Sequence, residues 1–214
     1  ADKTPVVSAL TAADADMVWT TVSPSGLAGL VGGANAEGYL PMWSGNVPSF
    51  SYLLLGSAVG PLLDTNYIVS NYIVTWNTEG VAGLDEMKDW MGKHNPELPI
   101  PDSYILGCTE AMAAHQVLER AAADGDLTRA GVIAAFNKVT VDYKGLAPNQ
   151  SWGGDANDNV IRETYSYDVV LADYDAGATI ADGGGTGTVL LRGPWASDIT
   201  KAQVYDGACF KSGS

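Results

Sequence analysis

Two short apolar runs, "MVWTT" at 17–21 and "LPMWSG" at 40–45, most constrain what this chain can fold into. Each is too short for a helix and reads as a buried strand. Between them Ser23-Pro24 opens a helix, with Ser as N-cap and Pro at the first helical position. Leu27, Leu30, Val31 and Ala34 then recur on one helical face, and the helix ends near Gly38. An earlier helix spans 5–14, with Pro5 at its start after Thr4 and Val6, Val7 and Leu10 at helical spacing. A third run, "NYIVSNYIVTW" at 66–76, is β-branched and aromatic. Parallel strands need long crossovers, usually helical. Helix–strand–helix–strand order therefore predicts an α/β fold, a parallel sheet flanked by helices.

The middle of the chain is more helical. In "GLDEMKDWMGKH" (83–94) Leu84, Met87, Trp90 and Met91 share one face. A Pro-rich connector follows at 96–102, and then a long amphipathic stretch at 103–125. Residues 125–139 open a further helix with Thr128 as cap and Val132, Ile133 and Phe136 as its apolar stripe. The last third is turn-rich at 141–159. It alternates like a strand pair at 160–175 and reads as a Gly-rich hairpin at 177–193.

Composition excludes several function classes. The 214 residues are 46% hydrophobic and only 17% charged, which supports a packed core and excludes a disordered chain. Lys and Arg number 11 against 25 Asp and Glu, a net charge of −14. A chain without a basic stripe is a poor partner for nucleic acid or for an anionic membrane surface. No segment reaches the length of apolar sequence that a membrane span needs. The surplus of negative charge suits a secreted surface. Ala1-Asp2-Lys3-Thr4 carries no basic and apolar leader, which reads as a signal peptide removed or as a fragment. The two cysteines, Cys108 and Cys209, permit one disulfide in an oxidising compartment, the alternative being two buried free thiols.

Catalytic and cofactor motifs are missing. There is no G-x-S-x-G elbow, no H-E-x-x-H, no phosphate loop and no dinucleotide fingerprint. "GGGTG" at 183–187 reads as a hairpin turn. Asp155, Asn157 and Asn159 alternate like calcium ligands, but Val160 stands where Gly is needed and no Glu follows at the twelfth place, so a solvated turn is the better reading. Asn149-Gln150-Ser151 fits a glycosylation sequon of little weight. His94 and His115 lie near no ligand cluster. No metal and no cofactor is expected, and the absence of an acid–base or nucleophile–base pair favours binding over catalysis.

The informative places are the carboxyl ends of the expected parallel strands, where open α/β sheets bind ligands. Thr20, Thr21, Val22 and Ser23 occupy the first strand-to-helix turn; Asn46, Val47 and Pro48 follow the second strand; Trp76 and Asn77 follow the third. Hydroxyls, an amide and an indole there suit a small polar ligand. Ser23 also has a capping role and Trp76 a packing role to fill.

Three stretches carry a family likeness. They are "VSALTAADADMVWTTVSPSGLAGLVGGANAEGYLPMWSG" (7–45), "GDLTRAGVIAAFNKV" (125–139) and "VDYKGLAPNQSW" (141–152). In order and spacing the chain resembles the type I periplasmic substrate-binding proteins of ABC transporters, the branched-chain amino-acid class, over most of residues 1–175. The resemblance implies two α/β lobes joined by crossovers, with the ligand between them. By it, 1–102 is second-lobe chain. Residues 103–162 cross to supply helices and a strand to the first lobe, and 163–214 return to the second lobe and end in a C-terminal extension. The first half of the family has no counterpart here.

Carried over position by position, the family's binding residues match Val22, Ser23, Asn46 and Val47. The aromatic and the carboxylate that hold an amino acid in the branched-chain prototype are absent from these turns. The expected ligand is a small polar molecule, amino-acid-like or related, with a less charged or differently shaped one equally open. The implied role is ligand capture for ABC-transporter uptake in the periplasm or outside the cell. Its partners would be a small-molecule ligand, a transporter permease and a missing N-terminal half or oligomer partner. The alternative is an extracellular structural subunit that reuses the fold.

Overall fold

The computed structural model describes residues 2–46, 48–100 and 103–205. Helix α1 (Thr4–Ala13) leads to strand β1 (Met17–Thr20), helix α2 (Pro24–Ala36) and strand β2 (Met42–Gly45). A 3-10 turn (Tyr52–Gly56) and helix α3 (Gly60–Asn66) lead to β3 (Tyr67–Asn71). Helices α4 (Ala82–His94), α5 (Ser103–Ala123) and α6 (Arg129–Phe136) follow, then the short strands β4 (Thr140–Val141) and β5 (Gln150–Ser151). The one-turn helix α7 (Ala156–Asn159), the long strands β6 (Thr164–Tyr174) and β7 (Thr186–Trp195), and α8 (Asp198–Ala202) complete it. Among the described residues no helix is long and apolar enough to cross a membrane.

The main sheet has the order β1-β2-β3-β6-β7. Strands β1, β2 and β3 pair in parallel, as the helix–strand alternation predicts. Antiparallel β6 and β7 extend the sheet, which makes it mixed. The expected capping of α2 is present: the Ser23 hydroxyl accepts from the Gly26 N–H at 3.3 Å. Thr128 caps α6 in the same way, accepting from the Gly131 N–H at 3.2 Å.

Five expectations need correction. The third strand stops at Asn71, and Ile73, Val74 and Trp76 run on as buried chain outside the ladder; the Val74 N–H donates to the Leu146 carbonyl at 3.0 Å. Residues 160–175 contain one long strand, not two. The stretch 177–193 is likewise no separate hairpin, since its glycines end the loop that leads into β7. Trp90 is exposed, stacked on His94 at 4.4 Å, because α4 buries Gly83, Leu84 and Met91 instead. In α6 the buried residues are Gly131 and Ala135, while Ile133 is 55% exposed.

The core gathers Leu27, Trp43, Leu63, Tyr67, Val69, Leu84 and Tyr167 between the sheet and its helices. A second, small cluster of Val117, Ala121 and Ala135 sits between α5 and α6. The "DANDN" stretch, read as a solvated turn, forms the one-turn helix α7 instead, and the Asp155 carboxylate before it accepts from the Asn157 N–H at 2.8 Å. Cys108 is half-buried on α5, and burial pushes its thiol above the usual range. Cys209 lies outside the described residues, and with it the disulfide expectation.

Candidate functional site

Strand register defines the site. Thr20 faces Gly45 and Gly45 faces Val69, so the carboxyl ends of β1, β2 and β3 lie along one sheet edge. A cavity of about 600 Å³ opens at that edge. From the strand ends come Pro24 (the first residue of α2), Pro48 and Phe50 (after β2) and Tyr72 (after β3). The 3-10 turn adds Tyr52 and Leu53. The opposite wall is the connector and first turn of α5, through Pro99, Ile100, Ser103 and Leu106. The size falls within the roughly 300–1,000 Å³ of small-molecule sites. No charged residue is among the described residues lining it. Phe50 is held in place by stacking on Tyr67, with ring centroids 5.6 Å apart.

A smaller chamber of about 40 Å³ shares Phe50 and Tyr52 with the first. Its other walls are Asn71 at the end of β3, the buried run from Ile73 to Trp76, Ile105 of α5, and Thr186 and Thr188 of β7. One side is a chain of hydroxyls. Thr186 and Thr188 are 3.0 Å apart, and the Thr188 hydroxyl donates to that of Thr75 at 3.1 Å. The Tyr167 hydroxyl accepts from the Thr75 N–H at 3.2 Å and lies 3.1 Å from that of Thr78. Two other polar atoms of the chamber's lining residues have no protein partner: Asn71 Oδ1 and Trp76 Nε1.

Of the residues expected to bind ligand, Pro48 lines the large cavity and Trp76 the small one. Thr21, Val22, Ser23 and Asn46 lie along the same edge but line neither. The hydroxyl of Ser23 is engaged in the cap, and Asn46 Oδ1 accepts from the Ser49 hydroxyl at 3.3 Å. Val47 lies outside the described residues. Sequence reasoning missed Phe50, Tyr52, Tyr72 and Leu106. The aromatic run after Pro48 was the available signal, because it follows a strand end directly.

Burial dominates the local electrostatics. It pushes the Tyr67 hydroxyl far above the ordinary tyrosine range, against the opposing effect of the Thr20 hydroxyl. Tyr167 is pushed up to about 12 for the same reason, against its bonds to Thr78 and Thr75. Tyr72 is raised by burial and by repulsion from Glu110. Lys88, whose Nζ sits 5.5 Å from the Trp76 ring centroid, is lowered by burial against attraction from Asp85 and Glu79. Among the described residues no group of three or more His, Cys, Asp or Glu could hold a metal ion. The arrangement offers a small molecule an open, mostly apolar recess at the strand ends.

Comparison with known proteins agrees with this fold. The fold is similar to that of a fatty acid ABC transporter substrate-binding protein from Thermomonospora curvata (TM-score 0.77, 22% identity, covering 94% of this chain and 49% of that one). It is similar to a branched chain amino acid ABC transporter from Thermus thermophilus with bound valine (TM-score 0.64, 14% identity, covering 94% and 51%). It is also similar to an ABC transporter substrate binding protein from Aeropyrum pernix (TM-score 0.67, 14% identity, covering 94% and 51%). The chain thus spans about half the length of the solved structures it resembles. No curated protein sequence gives a match. A family profile described as periplasmic binding protein matches residues 1–177, and the chain belongs to that family.

Proposed function

We propose that this chain supplies one jaw of a solute-binding protein that captures a small molecule at the strand ends and delivers it to an ABC-transporter permease. The supporting observation is that all three parallel strands run out into the walls of one 600 Å³ cavity, through Pro24, Pro48 and Tyr72. That is where open α/β sheets bind ligands. A jaw needs an opposing lobe. Ligand that touches both lobes biases an open–closed equilibrium by its differential affinity, and no covalent step is required. The work is done in the periplasm or outside the cell, where family members meet their solutes.

Segment 103–162 belongs, on this reading, to the opposing lobe, with support from the separate apolar cluster of α5 and α6. The neighbours' printed ligands, a fatty acid class and valine, bracket the chemistry to screen. The structural-subunit alternative draws support from no feature of the fold. The test is a thermal-shift screen of the full-length protein with amino acids, amides, aromatic acids and fatty acids. A ligand bound only by the native state raises the melting temperature, by an amount that grows with its concentration over Kd. No shift with any class overturns the reading.

A further inference from the structure

We infer that this jaw takes the apolar body of the solute and leaves any charged end to the opposing lobe. The inference rests on the solute-binding reading and deepens it to the substrate class: a molecule with a hydrocarbon or aryl body, selected here by the length of that body. The cavity at the strand ends is an open recess of about 600 Å³, walled by Phe50, Tyr52, Leu53, Tyr72 and Leu106 together with three prolines. Its volume lies inside the range that encloses drug-sized molecules, so it exceeds what the side chain of valine needs. The wall is preformed. Proline fixes its own backbone at Pro24, Pro48 and Pro99. Phe50 is backed by Tyr67, and Tyr52 by Tyr174 with ring centroids 6.4 Å apart.

The charge on offer decides the orientation. Among the described residues the wall holds no Lys, Arg, His, Asp or Glu. Its polar side chains are the hydroxyls of Ser51, Tyr52, Tyr72 and Ser103, and that of Ser51 already accepts from the Leu53 N–H at 3.4 Å. The Thr21 and Ser23 hydroxyls, which the sequence offers to a polar ligand, stand outside the wall. A carboxylate or ammonium that enters such a place loses its water and finds no ionic partner, at a large cost. Glu110, whose negative charge pushes up the Tyr72 hydroxyl, makes the recess less favourable still for an anion. A methylene gains there instead, because each one buried raises affinity by about fourfold. The recess is therefore filled by the body, with the head group turned toward the second lobe.

The test is calorimetric titration of the full-length protein at neutral pH with butanoate, octanoate, 2-aminobutanoate and norleucine. Within each head-group pair only the hydrocarbon grows. In a pair that binds, affinity is expected to rise about fourfold for each added methylene. Two variants then read the orientation. Leu53 is 67% exposed on the 3-10 turn, so its replacement leaves the core intact. With the body against this jaw, Leu53→Asp and Leu53→Lys should both weaken the longer member by about fourfold or more and change the shorter one by less than about twofold. With a charged end here, the two variants must act in opposite senses on the longer member, one tightening and the other loosening it. That outcome overturns the inference. Affinity that does not grow with chain length also overturns it, and leaves the recess to side chains of the opposing lobe while the solute-binding reading stands. No heat from any of these probes overturns it too, and the broader thermal-shift screen then decides the solute-binding reading separately. Stoichiometry counts the folded fraction apart from Kd, so a partly misfolded variant does not mimic these shifts.

Discussion

At the scale of the residue, Gly45 shows how closely the strand end beneath the cavity is packed. A Cβ built there meets Tyr67 Oη at 2.5 Å, Thr20 Oγ1 at 2.8 Å and Ser49 Cβ at 2.9 Å. These neighbours sit in the core between strand and turn and have little room to retreat. The Ser49 hydroxyl donates to the Thr20 carbonyl at 3.0 Å, which ties the two strand-end turns together. Gly45→Ala is therefore expected to destabilise the fold by about 1–3 kcal/mol, the usual cost of overpacking. A chemical-denaturation midpoint that does not move would contradict this packing. Legibility in the sequence divides along the same lines. Ser23, Pro24 and Thr128 declare their helix starts because capping is local chemistry. Pro48 lines a cavity, as a residue following β2 is expected to, whereas Trp76 lines one although β3 already ends at Asn71. Tyr52, Tyr72 and Leu106 escape because their convergence depends on how α5 docks, and no local pattern carries that.

At the scale of the element, β6 is the strand on which the antiparallel half of the sheet depends. Tyr165, Tyr167 and Val169 alternate inward, as period-two reading expects. A strand pair was expected there, yet the run 164–174 contains no Gly, Pro or Asn on which to turn. The turn chemistry begins at Asp175 and ends at the glycines before β7, and the hairpin forms around that loop. The third strand errs the other way: apolar character reports burial, and Ile73 and Val74 are buried without a ladder partner. Tyrosine burial on these strands gives a pH prediction. Tyr167 on β6 titrates at about 12 in the fold, against about 10 for an unperturbed tyrosine, and Tyr67 on β3 shifts in the same direction. The folded state then holds protons that the unfolded state has lost. The stabilisation is intact below pH of about 10 and falls as pH rises through the folded value, by up to about 1.4 kcal/mol per pH unit per group. Urea midpoints from pH 8 to 12 should be level at first and then drop. Tyr167→Phe should flatten part of the drop; an equally steep drop in that variant would assign the alkaline sensitivity to other groups.

At the scale of the whole molecule, the sheet half and the α5–α6 half bury different surfaces. The first half of α5 packs Tyr104, Ile105 and Leu106 against the main core, while its second half packs Val117 and Ala121 against Ala135 of α6. Outward of that small cluster, Leu118 is 49% and Ile133 is 55% exposed. Helix α5 thus packs on the main core at its start and on α6 at its end, an arrangement compatible with the proposed crossing between lobes. Its connector runs beside the chain's return, where the Ile180 N–H donates to the Leu98 carbonyl at 2.9 Å. If 103–162 belongs to the opposing lobe, Leu118 and Ile133 face chain that lies outside these 214 residues. Leu118→Gln and Ile133→Gln should then change the stability of the isolated 214-residue chain by no more than about 0.5 kcal/mol each, as surface substitutions do. In the full-length protein the same changes replace a buried methyl-rich contact with an unpaired amide and should cost about 1–3 kcal/mol each. Parallel urea titrations of both lengths read the difference directly. Equal, small effects at both lengths would leave α5 and α6 facing solvent in the intact protein and remove them from the lobe contact; the cavity at the strand ends, which stands on β1, β2 and β3, would be unaffected by that outcome.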